Sequence, residues 1–471
     1  MGKKNKKKTI HEQANYSCFG RGKTKLKDQI FSRTPRHHKC LYNAGYKYIK
    51  VDKLDSSQIK RFLAKSKTIE HQILALMDIT ILKPKDYQRR YKFTELLLSC
   101  LSSHHGTPYE GILFGSTVNG LGFRDSDVDL RLRPLLRVSE GLYEPISLDD
   151  DMVERTLRNI AYQTARCSPS HGLYVPSVKC PIAKLSFFVG ESHDDKNLDK
   201  MVEGLKYDIS LSAGSSLGAF NSKFLRFLCS LEPKFQLLAT TIRYWSMVHG
   251  LIKPGHLSSY SLVNMLIFFC QTIKPPLLPT IDYMRDLYLK QKKIESDSSS
   301  DERSRKGITQ IEWHCLVCFD KGRYEPSTNN EPLAILLLKF FEFYLKFPYS
   351  THIITTRPGR ALSHDEFKTS TQYHPSFPIK SFLNVQDPFD LKHNTTSGMQ
   401  GNHFRKILIT VRYSYERLFE ELRSNFIAPS HVLYSDENRK KAENEPTAWG
   451  LNCLFIKPTN EELNSKRLTH Q

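Results

Sequence analysis

The chain has 471 residues, with 69 Lys and Arg against 49 Asp and Glu, so its formal net charge is +20 and its pI about 9.4. A hydrophobic fraction of 39% excludes global disorder, and at roughly 150 residues per domain the length predicts two or three packed domains. No apolar run reaches the ~18 residues of a membrane span, and the positive surplus calls for an anionic partner, nucleic acid before acidic membrane.

The surplus is concentrated at the start. Residues 1–50 hold 14 Lys and Arg and only two acids, Glu12 and Asp28, a net of +12, which leaves +8 for the other 421 residues. Residues 1–60 read as a basic, irregular tail. Its opening lacks the apolar core of a signal peptide, and Lys3, Lys4, Lys6, Lys7 and Lys8 form a cluster suited to nuclear import or to an auxiliary RNA contact. The expected location is nucleus or cytoplasm, with the mitochondrion as the alternative.

From residue 85 to about 104 the spacing predicts a helix, with Tyr87, Tyr91, Leu96, Leu97, Cys100 and Leu101 on one face and Pro84 at its start. A short apolar strand at 111–114 runs into Gly115-Ser116, followed by a turn-rich stretch at 119–122. Residues 127–133 alternate as a strand, and further strands are predicted at 182–188 and 207–211. After residue 222 the pattern turns helical, at 224–228, 235–248, 259–271 and 331–347. The serine-rich, charged stretch 290–306 reads as a disordered insert. Ten cysteines are scattered along the chain. The one CxxC pair, Cys315 and Cys318, lacks the second pair a structural zinc needs, so the cysteines read as reduced thiols of an intracellular protein.

The segment that carries chemistry runs from Phe114 to Leu130. Asp127 and Asp129 stand two apart on a strand, so both carboxylates project from one face while Val128, Leu130 and Leu132 fill the other. Two adjacent acids repel, and a hard divalent cation with oxygen ligands relieves that repulsion. Gly115-Ser116, eleven residues upstream, offers a turn whose backbone approaches a phosphate closely and a hydroxyl that donates to it. A phosphate cradle beside a metal-binding acid pair suits two-metal phosphoryl or nucleotidyl transfer. Asp208, on a later strand, is the candidate third acid.

These residues resemble the terminal uridylyltransferase and non-templated poly(A) polymerase branch of the DNA-polymerase-β-like nucleotidyltransferase superfamily. The resemblance spans about residues 85–455. It rests on the box from Phe114 to Leu130, on Tyr207-Asp208-Ile209-Ser210, on the run 221–225 beginning at Asn221, on Arg243 within 242–245, and on Ser259 and Tyr260 within 257–262. It implies an α+β fold: a polymerase-β-like nucleotidyltransferase domain with a mixed sheet and helices, then a helix-rich PAP-associated domain, with the active site in the cleft between them. The expected boundaries are 61–225 and 226–456, with a tail at 457–471; the first helix is free to join either domain.

By the same resemblance, Asp127, Asp129 and Asp208 bind two Mg²⁺, or Mn²⁺, and are catalytic. Gly115, Ser116, Arg243 and Ser259 hold a triphosphate, and Asn221 and Tyr260 meet ribose and base. A second phosphate-binding lysine of the family falls on Met247 here, a departure. Another follows the acid pair: the family commonly reads D-L-D-L-F-L, whereas this chain has Asp129-Leu130-Arg131-Leu132-Arg133, with both arginines on the acid face. The loop 387–394, from Asp387 to Asn394, resembles the base-selecting loop of uridylyltransferases, in which the residue at His393 narrows the pocket against a purine. The implied activity is addition of UMP from UTP to an RNA 3′ end without a template. The alternatives are a poly(A)-adding enzyme using ATP, a synthetase that makes oligoadenylate without an RNA primer, and a catalytically inactive RNA-binding scaffold.

Overall fold

The computed structural model describes residues 56–66, 68–167, 170–177, 180–187, 204–211, 215–253, 256–296, 315–369, 376–380, 382–427 and 449–459. The lysine cluster at 3–8, residues 1–55, the stretch 297–306 and residues 460–471 lie outside the described residues. The chain divides into two units. One comprises residues 82–118 and 125–222; the other comprises 52–81, 119–124 and 223–471. The described part of each is taken separately.

The first unit is built on a mixed sheet. Its strands are β1 (Tyr109–Phe114), β2 (Val128–Ser139), β3 (Leu142–Pro145), β4 (Ser170–Val175), β5 (Ile182–Phe187) and β6 (Lys206–Ser210), in the order β1-β2-β6-β5-β4 with β3 paired to β2. β2 runs antiparallel to β1 and parallel to β6, and β5 is antiparallel to both β6 and β4. Helices α3 (Pro84–His105) and α4 (Asp150–Cys167) share the sheet's apolar core. Pro84 stands at the first turn of α3, where its missing N–H costs nothing.

Strand alternation decides the two faces. Val128, Leu130 and Leu132 of β2, Ala183 and Leu185 of β5, and Tyr207 and Ile209 of β6 are buried with Phe93 and Leu97 of α3. The intervening residues, among them Asp129, Arg131, Lys184 and Asp208, therefore project from the opposite face.

The second unit is helical. It contains α1 (Ser56–Leu63), α2 (Ile69–Thr80), α6 (Pro233–Val248), α7 (Ser259–Thr272), α8 (Ile281–Ser296), α9 (Leu333–Lys346), α10 (His364–Thr369) and α11 (Gly401–Ile427), with a small sheet of β7 (His352–Ile353) and β8 (Leu362–Ser363). Helix α5 (Ser215–Leu231) contains the boundary at residue 222. Aromatic packing dominates this core: Trp245 meets Phe341 edge-on at 5.1 Å, and Phe269 meets Phe340 at 5.6 Å. The Trp245 indole N–H donates to Ser414 Oγ at 2.8 Å, so its one polar atom is satisfied.

Three expectations differ from what is found. Residues 56–60, read as part of an irregular tail, begin a helix whose Ile59 and Leu63 are buried. Residues 290–296, read as the start of a disordered insert, complete α8. The expected first boundary at 61 also shifts, because α1 and α2 belong to the second unit, which rejoins the chain at 119–124 before α5. The described cysteines, Cys100, Cys180, Cys229, Cys270, Cys315, Cys318 and Cys453, are free thiols.

Candidate active site

In the first unit the acids are assembled by strand register. Asp129 on β2 is the lateral partner of Asp208 on the parallel strand β6, and Lys184 on β5 is the partner of Asp208 on its other side. Asp127 immediately precedes β2. Burial and then the Asp208 charge push the Asp129 carboxyl up to about 7; the same two causes raise Asp127. Lys184 Nζ donates to both Asp208 oxygens, at 2.8 and 2.9 Å.

Among the described residues no three acidic, histidine or cysteine side chains converge as a ready-made metal centre, and Asp208 is engaged by Lys184. The donor set nevertheless fits a hard divalent cation. It offers carboxylate oxygens only, and in two of its members burial and the Asp208 charge disfavour the charged form, a penalty that a cation would relieve.

The turn ahead of the acids works differently from its reading as an open phosphate cradle. Gly115 has φ +62°, and a Cβ there would lie 1.9 Å from Asp129 Oδ2. Its N–H donates to Ser222 Oγ at 2.7 Å, and Ser222 Oγ in turn donates to Gly218 C=O at 2.7 Å. The Ser116 N–H donates to Asp129, and Ser116 Oγ donates to Ser126 Oγ at 3.0 Å and to Asp127 C=O at 3.3 Å. In this state both residues position the acids. Asn221, beside Ser222, has its Oδ1 buried without a hydrogen-bond partner.

Sequence reasoning missed Arg90, which is 2% exposed. Reaching from α3, it donates to Thr117 Oγ1 at 2.8 Å and to Ser126 C=O at 2.6 Å. It thus ties the Gly115–Thr117 turn to the segment that carries Asp127. Burial lowers its pKa, an indication of how far this cation is removed from water. A charged residue at a core position of a predicted helix was the available signal. Arg133 pairs with Glu110, and Arg131 Nε is buried without a partner.

The second unit brings together two further groups. Arg243 on α6 donates to Ser259 Oγ at 2.9 Å and to the Leu121 carbonyl, and its guanidinium lies 4.7 Å from the Phe123 ring. Burial lowers its pKa to about 10. Met247, at the family's lysine position, is half exposed.

The other group contains Tyr260, Asp387 and His393. The Tyr260 hydroxyl is buried, and its pKa is raised by that burial and by the neighbouring Asp387 charge. Asp387, 2% exposed, accepts from the N–H groups of Phe389 and Asp390 and, at 3.4 Å, from His393 Nδ1. The turn is closed by Asp387 N–H to His393 C=O and His393 N–H to Asp390 C=O. Asp387 thus both builds the loop and orients the imidazole, whose side chain keeps 32% of its surface exposed. Arg357, also missed, is buried, pairs with Asp282 and donates to Pro388 C=O at 3.1 Å, bracing the loop from outside.

Residues 69–230 match the family described as "Poly(A) RNA polymerase, mitochondrial-like, central palm domain", and residues 332–393 match "Cid1 family poly A polymerase". A "Speckle targeted PIP5K1A-regulated poly(A) polymerase" of Danio rerio is 27% identical over 389 residues, 74% of this chain and 45% of the relative. The mitochondrial poly(A) RNA polymerase of Mus musculus is 22% identical over 424 residues, 86% of this chain and 62% of the relative. The chain spans less than half the length of the speckle-targeted relatives it matches.

Among solved structures, mtPAP in complex with UTP superimposes with a TM-score of 0.64 at 20% identity, covering 88% of this chain and 79% of that one. A cytoplasmic RNA terminal U-transferase gives 0.57 at 18%, covering 83% and 98%. The fold is therefore that of these nucleotidyltransferases, as the motifs imply, and the chain is a homologue of the speckle-targeted and mitochondrial poly(A) polymerases.

Proposed function

We propose that this homologue of the Cid1-branch polymerases is a template-independent RNA 3′-terminal nucleotidyltransferase that adds UMP from UTP. The observation that carries the reading is the pairing of Asp129 with Asp208 across parallel strands, with Asp127 next to Asp129. Asp127, Asp129 and Asp208 would hold Mg²⁺ or Mn²⁺. The bound cation supplies charge that activates a 3′-hydroxyl and steadies the leaving pyrophosphate. Asp208 becomes available as Lys184 transfers its hydrogen bonds to another anion, for which the substrate's phosphates are the natural candidate. Ser116, Arg243 and Ser259 are assigned to the triphosphate, Gly115 to the placement of Asp129, and Asn221 to the ribose.

The UTP assignment rests on His393. Held by Asp387 and one-third exposed, it narrows a base site bounded by Tyr260 and favours a pyrimidine, a kind of discrimination worth roughly 1–3 kcal/mol. The breadth of the match to a mitochondrial poly(A) polymerase supports ATP as the second reading, and the names of the relatives support speckles in the nucleus or the mitochondrion as the location.

The test is an RNA oligonucleotide with a free 3′-hydroxyl, incubated with Mg²⁺ and each nucleoside triphosphate singly. Extension is expected with UTP first, and none from the Asp127→Ala/Asp129→Ala double variant. Preference for ATP would replace the base assignment and leave the reaction class. Equal extension by wild type and double variant would refute the enzyme reading, and product without primer would point to an oligoadenylate-type synthetase.

A further inference from the structure

A second charged centre lies within the helical unit and shares no residue with those assigned above. Lys60 comes from α1, Lys253 and His256 from the connection between α6 and α7, His403 and Lys406 from the start of α11, and Lys457 from the segment after the Gly450–Phe455 turn. Four separate pieces of chain thus contribute only cations and imidazoles. Among the described residues no carboxylate forms an ion pair with any of the six.

The cluster is close-set. The His256 and His403 rings stack, with centroids 3.1 Å apart and planes at 23°. Lys406 Nζ donates to Gly250 C=O at 3.4 Å. Gly250 has φ +60°, and the point a Cβ would occupy there lies 3.9 Å from Lys406 Nζ and 4.0 Å from Lys253 Nζ, so two ammonium groups flank one bare stretch of backbone. The framework behind them is fixed: Asn452 Nδ2 donates to Lys60 C=O at 3.1 Å, and the buried His249 donates from Nε2 to Leu454 C=O at 2.9 Å.

The electrostatics mark a group of charges that lacks its counter-charge. Burial and then the Lys253 and Lys457 charges lower Lys406; burial and then Lys457 lower Lys60. His256 is lowered by desolvation and then by His403, Lys253 and Lys406. The first turn of α11 has no acid, although helix N-termini favour acids and disfavour cations. Folding tolerates such self-repulsion where an anion relieves it.

We propose that this cluster is a binding site for the phosphodiester backbone of RNA, separate from the residues assigned to the nucleotide. The lysines take phosphates, and the stacked imidazole pair presents a ring face to a base, the combination by which single strands are held without regard to sequence. The inference rests on the RNA reading above and adds to it where, in the folded body, the strand is gripped.

The experiment uses the full chain with Lys253→Gln/Lys406→Gln/Lys457→Gln and measures binding of a labelled single-stranded RNA in EDTA, without nucleoside triphosphate, as salt is varied. Each lost single-strand phosphate contact lowers the salt slope by ~0.7, so a reduction of about 2 is expected, with at least a ~10-fold loss of affinity at 0.1 M salt. The KM for nucleoside triphosphate on a short primer is expected to stay unchanged.

The triple Lys→Arg variant keeps the charge and is expected to retain the wild-type slope. It also separates a phosphate contact from a folding defect, which thermal melting of both variants would reveal. If the Gln variant misfolds, the Lys253→Gln/Lys457→Gln pair, on exposed side chains, is expected to lower the slope by ~1.4. An unchanged slope in a folded variant overturns the proposal, as does loss of binding to anionic phospholipid vesicles with RNA binding intact. Failure of the wild type to extend any primer while it binds RNA with the expected slopes would refute the enzyme reading and leave this site standing.

Discussion

At Gly115 the side chain that would be excluded is the methyl of alanine. Its space belongs to the Asp129 carboxylate, and its φ of +62° is one that residues with a Cβ adopt at a penalty of ~1–3 kcal/mol. Gly115→Ala is therefore expected to displace Asp129 and lower kcat at least ~100-fold. Nucleotide affinity measured without an RNA primer is expected to change much less. An alanine variant with wild-type kcat would show that the turn does not position the acid.

Asp129 also sets a pH dependence. Its folded pKa, about 7, lies above the ordinary carboxylate value, so between about pH 4 and 7 the folded state binds more protons than the unfolded chain. Stability in the absence of metal is then greatest below that window and falls as pH rises through it. Melting temperatures in EDTA from pH 5 to pH 8 are expected to decline until just above 7 and then flatten. Asp129→Asn is expected to remove most of the decline. A wild-type profile that rises over this range would contradict the assignment.

Among the elements, the turn from Asp387 to Asn394 has the clearest division of labour. Asp387 satisfies two backbone N–H groups and holds the His393 ring, while Phe389 is fully buried against Phe224 at 5.0 Å. His393→Ala keeps every backbone bond of the turn, so it is expected to leave stability within ~1 kcal/mol while narrowing the UTP-to-ATP ratio of kcat/KM about 10-fold or more. Asp387→Ala leaves two buried N–H groups unpaired, at ~1–3 kcal/mol each, and is expected to lose both stability and selectivity. Measuring the ratio and the melting temperature on both variants distinguishes base reading from scaffolding. Identical effects from the two would mean that His393 acts only through the fold of its turn.

Much of this element was legible in sequence, because Asp387, His393 and Asn394 fall within one short motif, 387–394. Arg357 was not, because it reaches the turn from 30 residues upstream and only packing brings it there. Arg90 is a similar case. Helical spacing placed its helix correctly, but a single sequence does not state that a buried arginine will find the Ser126 and Thr117 oxygens. Helices α4 and α11 were not anticipated, although Val153, Leu157, Ile160 and Ala161 of α4 follow helical spacing and are buried.

For the whole molecule, charge is the organising quantity. A net of +12 lies in residues 1–50; the first unit carries the acids around Asp129, and the second carries the basic cluster around Lys406. Deleting residues 1–50 is expected to weaken RNA binding and flatten its salt dependence while leaving the UTP-to-ATP ratio unchanged, because no residue assigned to base reading lies there. A deletion that shifted the ratio would place the tail in the nucleotide site. The deletion and the Lys253/Lys406/Lys457 substitution remove different charges, and their effects on the salt slope are expected to add.

The sequence by itself determined the acids, their shared strand face and the family resemblance, because a two-residue period and a short motif are local properties of a chain. It also called for an anionic partner, since net charge needs no fold. The tertiary structure decided what local patterns do not hold: that Asp208 sits beside Asp129 through parallel pairing across about 80 residues, that Lys184 engages it, and that the donors of the Gly115–Ser116 turn go to Ser222, to Asp129 and to the Ser126–Asp127 segment. It decided equally that Lys406, about 150 residues downstream, joins Lys253 at Gly250. Register and packing bring such groups together, and the repulsion or hydrogen bonding they then experience depends on separations that no spacing along the chain encodes.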